Sequence, residues 1–200
     1  MTAAMVEHDQ APLGGEWEYL LQTWRELDVP EGWRAEIDEG QIALVPPPHG
    51  HHNAIAAQVQ RHLYRSLPED LEIFQTLGVH IPDVERLYIP DLVVMPEILV
   101  LERDPENNDP YEAAEAELVV EITSKGNART DRTRKLWAYA HAPVPLYLLI
   151  DRFDARGPMV TLYSDPQNGT YKHADVTPFG RPLTLPAPFH ATLPTEKFPR

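Results

Sequence analysis

Residues 144–151, VPLYLLID, form an apolar run that has no polar face. A strand projects successive side chains to opposite sides, so a run apolar on both sides must be covered on both. It reads as a central strand of a sheet with helices packed against it. A second run, AELVVEIT at 116–123, carries an acid in its midst. Glu121 stands among Leu118, Val119, Val120 and Ile122, where an isolated carboxylate loses its hydration as the chain folds. Something positive has to compensate that loss, either a partner side chain or a metal ion.

The elements around these runs follow from spacing. Trp17, Leu20, Leu21, Trp24 and Leu27 recur at helical intervals within 15–28, and Ile55, Val59, Leu63 and Leu67 form one stripe of a helix over 51–67. A third helix is expected at roughly 129–141. A hairpin over 33–47 turns at Glu39-Gly40, strands are expected at 71–81, 88–95 and 116–123, and a last hairpin joins 158–164 to 169–176 through DPQNG. Segment 96–115 is acidic and broken by Pro105 and Pro110, and reads as an exposed excursion. The 21 prolines cluster at 46–48 and from 178 onward, which excludes a long helix or a central strand there. The tail is expected to wrap the domain in extended form, anchored by Leu183, Leu185, Phe189 and Phe198. The class is α/β, divided into an N-terminal helical extension (1–32), one domain (33–177) and a Pro-rich tail (178–200). Trp17, Trp24, Trp33 and Trp137 read as packing residues.

Charge limits what such a domain does. The formal net charge of −14 repels polyanions, so the chain is no general coat for nucleic acid. Chemistry on a nucleic acid would need a local basic patch, a metal, or both. The most basic stretch holds Arg129, Arg132, Arg134 and Lys135. No run approaches the ~18 apolar residues of a membrane span, and the N-terminus lacks the basic start and apolar core of a secretory signal. With no cysteine, disulfides and thiolate metal sites are excluded and a reducing compartment, the cytoplasm, is expected.

Two acids stand at the borders of apolar strands. Asp91 opens the run in IPDLVVM after Pro90, and Glu121 lies near the end of the next run. If the two strands are neighbours, both carboxylates converge. Val119, Glu121 and Thr123 share one strand face and Ile122 points the other way. A divalent cation such as Mg²⁺, which prefers hard oxygen ligands and keeps several waters, would resolve the conflict and could activate one of those waters. Asp131 and Lys135 are four apart, so they lie on one helical face and can pair. From there Lys135 can reach back to stabilise developing negative charge. The HGHH cluster, His49 to His52, is too tightly spaced for all its histidines to ligate one zinc from a regular helix.

The segments IPDLVV, ELVVEITS and TDRTRKLWAYAHAPVPLYLLID, in this order and spacing, resemble the Uma2-type family of putative restriction endonucleases, a branch of the PD-(D/E)XK nuclease superfamily. The similarity runs from about Glu36 to Asp151, and more loosely through TLYSDPQNGTY to the tail. It implies a restriction-endonuclease-like mixed β-sheet flanked by helices, and a DNA endonuclease using Mg²⁺ or Mn²⁺. Asp91 and Glu121 would bind the metal, with the backbone carbonyl of Ile122 as a further ligand. The superfamily's usual lysine lies two residues after the glutamate, where this chain has Thr123. The family's helix lysine corresponds to Lys135, which would complete the catalytic set with Asp91 and Glu121. Asp131 matches the acid one turn earlier, Ser124 the serine after the acidic strand, His52 the histidine entering the first core helix, and Glu36 the glutamate of the N-terminal hairpin. These four are read as groups that position the metal's ligands and waters or contact the phosphate. Two other readings stay open: a non-catalytic binding or regulatory module, and a metal-dependent hydrolase of another phosphoester. A homodimer is expected if both strands of DNA are cut together.

Overall fold

The computed structural model describes residues 15–200; the reading of the N-terminus as free of a secretory signal concerns residues 1–14 and lies outside the described residues. The chain opens with helix α1 (Glu16–Glu26), hairpin β1 (Arg34–Asp38) and β2 (Gln41–Val45), and helix α2 (Gly50–Leu63). Strands β3 (Leu71–Phe74), β4 (Val79–Ile81), β5 (Arg86–Tyr88) and β6 (Leu92–Pro96) follow, then short helix α3 (Ile98–Leu101), β7 (Tyr111–Glu112) and β8 (Leu118–Ile122). A helical segment begins as α4 (Ala128–Thr130), passes through a π-turn at Asp131–Lys135 and ends as α5 (Leu136–His141). Strand β9 (Leu146–Asp151), the long hairpin β10 (Met159–Gln167) and β11 (Thr170–Pro178), and the small hairpin β12 (Leu183–Leu185) and β13 (Ala191–Leu193) complete the chain.

These strands form a six-stranded mixed sheet, β11-β10-β9-β8-β6-β3, and a five-stranded sheet, β2-β1-β5-β4-β7. Strand β9 is buried along its whole length, parallel to β8 on one side and antiparallel to β10 on the other. Both of its faces are covered, as its composition requires. Leu118, Val120, Ile122, Leu148 and Ile150 share one core with Ile55, Val59 and Leu63 of α2. Val119, Tyr147 and Leu149 share the other with Ala138 and Tyr139 of α5. Helix α1 packs Trp17 and Leu21 against Ile37, Leu87 and Ile89.

Two expected strands, the expected excursion and one expected helix come out differently. The run at 71–81 divides into β3 and β4, which belong to different sheets; the break carries Thr76 at φ 56°. The run at 88–95 divides at Pro90, whose missing N–H cannot continue a ladder. There the chain leaves the five-stranded sheet and enters the six-stranded one, and Asp91 sits at the crossing. The excursion at 96–115 is exposed only in part: β7 pairs in parallel with β4, and Ala113 is fully buried. The helix at 129–141 is interrupted by its π-turn.

The tail is not merely extended, because β12 pairs with β13. All four expected anchors are buried, and Leu183, Leu185, Phe189 and Phe198 belong to the same core as α2 and β8. Phe189→Ala is expected to cost about 3–5 kcal/mol of stability. Denaturant unfolding will show that loss, and one below about 1 kcal/mol would mean that the tail is not part of the core.

Two tryptophans depart from the packing reading. Trp17 is buried and the Trp24 indole N–H donates to the carbonyl of Ala35 (2.7 Å), whereas Trp33 and Trp137 are 41% and 43% exposed. Trp33 precedes β1 in a turn and Trp137 lies on the outward side of α5, where it meets the ring of His141 at 4.1 Å between centroids. No helix among the described residues is long and apolar enough to cross a membrane.

Candidate active site

The site starts from the alternation in β1. Ala35 and Ile37 are buried, while Arg34 and Glu36, two apart, share the other strand face. Both reach the backbone beside Pro90. Ile89 N–H donates to Glu36 Oε1 (3.1 Å), and Arg34 Nη1 donates to the carbonyl of Ile89 (2.9 Å). Those two contacts supply the hydrogen bonds that the broken ladder cannot. Arg34 Nη1 also donates to Asp91 Oδ1 (3.1 Å).

Asp91 is the residue before β6. The antiparallel register of β6 and β8 pairs Leu92 with Val120, so its extension by one residue sets Asp91 opposite Glu121. The second oxygen of Asp91 accepts the Ile122 N–H (2.8 Å) and lies 2.9 Å from His52 Nε2, which α2 supplies. Both carboxylate oxygens are thus engaged, and the side chain is only 5% exposed.

Glu121 is met from the helix. Lys135 Nζ donates to Glu121 Oε1 (3.0 Å) and to Glu36 Oε1 (3.0 Å), and Tyr139 OH donates to the same oxygen of Glu121 (3.0 Å). The π-turn ends on Lys135, and such single wide turns occur often where function re-aims a side chain. Lys135 and Asp131 do come together, at 3.8 Å between Nζ and Oδ1, but neither Asp131 oxygen receives a hydrogen bond among the described residues although the side chain is fully buried. Ser124 turns away from the acids, its N–H and hydroxyl both donating to Asn127 Oδ1 (2.6 and 2.7 Å). Thr123, two residues after Glu121, donates to Asp151 Oδ1 (3.2 Å) and accepts from the Arg152 N–H (3.0 Å).

Four acids, Glu36, Asp91, Glu121 and Asp131, share two permanent cations, Arg34 and Lys135, with His52 beside them. Burial pushes the Asp91 carboxyl up. The hydrogen bond and charge of His52, then the charge of Arg34 and the Ile122 amide, more than offset this and hold it below the usual carboxylate range. Glu121 goes the other way: burial raises it, Lys135 opposes, and the negative charges of Asp91 and Glu36 add to the rise, to about 7. Burial also lifts Asp131 well above an ordinary aspartate. Burial alone would lower Lys135, but Glu121, Glu36 and Asp131 hold its ammonium well above the usual lysine value.

The donor types suit a hard divalent cation. Burial first and the charges of Asp91 and Glu36 after it make an ionised Glu121 costly, and both hydrogen bonds to Glu121 fall on one of its two oxygens. The arrangement as it stands is closed around Lys135: among the described residues no three His, Asp or Glu side chains are grouped to hold an ion. An ion on Asp91 and Glu121 would take the place of a bond from Arg34 or His52. The basic stretch is also largely spent. Arg132 pairs with Asp151 (2.6 Å), Arg134 with Asp38 and Glu39 (2.8 Å each), and exposed Arg129 is in no ion pair among the described residues.

Arg34 and Tyr139 escaped the reading of the sequence. Signals for both were present: Arg34 lies two residues before Glu36 on the same strand face, and Tyr139 one helical turn after Lys135.

A comparison with curated proteins gave no match. A crystal structure described as a "putative nuclease belonging to DUF820" from Anabaena variabilis superposes with a TM-score of 0.64 and 21% identity, over 85% of this chain and 90% of that one. At that identity the likeness shows the fold, a mixed α/β nuclease-like one. The model of the Uma2 family, described as "putative restriction endonuclease", matches residues 18–196. Spanning nearly the whole chain and every residue of the acid cluster, that match makes this protein a member of the Uma2 family.

Proposed function

We propose that the protein is a divalent-metal-dependent endonuclease acting on DNA. The observation that carries the reading is Asp91 set opposite Glu121 across β6 and β8, with Lys135 Nζ 3.0 Å from Glu121. Asp91, Glu121 and the carbonyl of Ile122 would hold Mg²⁺ or Mn²⁺, which supplies Lewis-acid polarisation of a phosphodiester and of water. The chain's own residues do the rest. Lys135 places a buried positive charge beside the position where phosphate charge develops. Glu36 and Tyr139 hold that lysine and Glu121 in register, and Arg34 and His52 orient Asp91. The raised Glu121 would give up its proton near neutral pH as a cation enters. Zero cysteines favour a cytoplasmic enzyme, and cutting both strands together would take a homodimer.

One observation favours a non-catalytic binding or regulatory module instead: each strand acid is already matched by a cation, and Thr123 is engaged with Asp151. Supercoiled plasmid incubated with Mg²⁺ or Mn²⁺ separates the two. Nicking that disappears in Asp91→Asn is the expected result. No nicking above that variant on any DNA form favours the module, and turnover of phosphomonoesters without DNA cleavage points to a different phosphoester substrate.

A further inference from the structure

We propose that the cavity beside Asp91 is a nucleobase pocket, which receives one base turned out of its stack next to the phosphodiester presented to Asp91 and Glu121. The proposal rests on the reading of nucleic acid as the substrate. The cavity measures about 230 Å³ and lies between the turn before β1, the start of α2, the loop after β3 and the crossing at Ile89. That is below the usual range for small-molecule sites, far too small for duplex, and of the scale of a single ring system.

Its chemistry suits a neutral aromatic ring better than a free phosphate. The one carboxylate in it, Asp91, is answered by Arg34 and bonded by His52, so no uncommitted cation remains there for an anion. Trp33 lines the cavity and is 41% exposed, although large aromatic side chains are ordinarily covered. Two lining side chains each keep a buried nitrogen without a hydrogen-bond partner among the described residues, Arg34 Nε and His52 Nδ1. Such atoms are costly unless something bonds to them. Asn53 adds an exposed carboxamide, and Gln75 has its amino group tied to Gln60 Oε1 (2.7 Å), which leaves its oxygen as an acceptor. Thr76, next to Gln75, holds the left-handed φ of 56° that marks a constrained loop tip.

The rest of the surface explains why one base would matter. The net charge is −14, and Arg25, Arg86, Arg132, Arg134 and Arg156 are all committed to acids of the same chain. None of these five can contact a phosphate, the usual source of affinity for duplex, without giving up an ion pair. Stacking on Trp33 with hydrogen bonds to the base edge supplies affinity that phosphate contacts do not. The substrates this favours are single strands, bulges and mismatches, in which a base is already free or loosely stacked.

The test compares two labelled duplexes bound by the full chain in chelator. One carries a single bulged nucleotide, and the other is identical except that the bulged nucleotide is abasic. The base-bearing duplex should bind about tenfold tighter, and Trp33→Ala should reduce that preference to below about threefold with little change for the abasic duplex. Equal affinity for the two, including no binding of either, overturns the proposal, as does a Trp33→Ala variant that weakens both by the same factor. Plasmid cleavage with Mg²⁺ or Mn²⁺ is measured alongside. Cleavage without base preference refutes the pocket and leaves the nuclease reading intact; base preference without cleavage of any DNA form refutes the nuclease and leaves the pocket.

Discussion

Glu121→Gln should abolish metal-dependent cleavage of DNA and yet make the metal-free protein more stable at neutral pH. The carboxyl of Glu121 is raised from its ordinary 4.5 to about 7, through burial first and then the charges of Asp91 and Glu36. A native state that holds a proton more tightly than the unfolded chain loses stability as pH climbs. The contribution of the protonated carboxyl is complete below about pH 4.5, falls as the unfolded chain ionises, and is gone above about pH 7. At pH 8 the ionised side chain therefore costs on the order of 3 kcal/mol relative to its protonated form. Glutamine fills the same space without the charge and still leaves Lys135 its bond to Glu36. The melting temperature of the variant should exceed that of the wild type at pH 8, and the advantage should shrink at pH 5. Under the proposed mechanism cleavage should fall by about 100-fold or more, because Glu121 would be one of the two carboxylates that hold the metal. A variant less stable than wild type at pH 8 would show that Lys135 neutralises Glu121 more fully than its neighbours repel it.

Lys135→Met should destabilise the fold strongly. The side chain is 3% exposed and its ammonium bonds to Glu36 and Glu121 and lies 3.8 Å from Asp131. Methionine keeps the shape and removes the charge, so three buried acids lose their common cation. Breaking a buried pair in this way costs about 3–5 kcal/mol, because the partner charge is left uncompensated. The loss should depend on pH. Lysine stays charged throughout the range from pH 5 to 8, since its carboxylate neighbours hold it above its usual value. Glu121 and Asp131 take up protons well above their ordinary values, so at low pH the variant can neutralise the acids that have lost their cation. Denaturant unfolding should give a smaller difference from wild type at pH 5.5 than at pH 8. The same difference at both would place the loss in packing instead of charge.

Much of the fold is written in local patterns. The double-sided apolar run of β9 and the stripe of Ile55, Val59 and Leu63 belong to short stretches of sequence, so periodicity alone reveals them. The strand runs at 71–81 and 88–95 were apolar enough to look continuous, because composition says where a strand can form and not which sheet it joins. That choice was made by pairing partners outside each run: β3 with β6, β4 with β5 and β7, and β5 with β1. Trp33 and Trp137 show the same limit, since exposure depends on what comes to cover a ring.

By itself the sequence determined that two acids would stand at strand ends inside apolar surroundings, that Lys135 and Asp131 would share a helical face, and that β9 would lie inside a covered sheet. Each of these follows from residue type and spacing within a dozen or so positions. Only the tertiary structure decided who neutralises whom. It brought Arg34 and Glu36 from the first hairpin, His52 from α2 and Lys135 and Tyr139 from the π-turn segment to meet Asp91 and Glu121. Charge compensation in a buried site acts over a few ångströms of space, and the groups that come within that distance here are up to 99 residues apart along the chain.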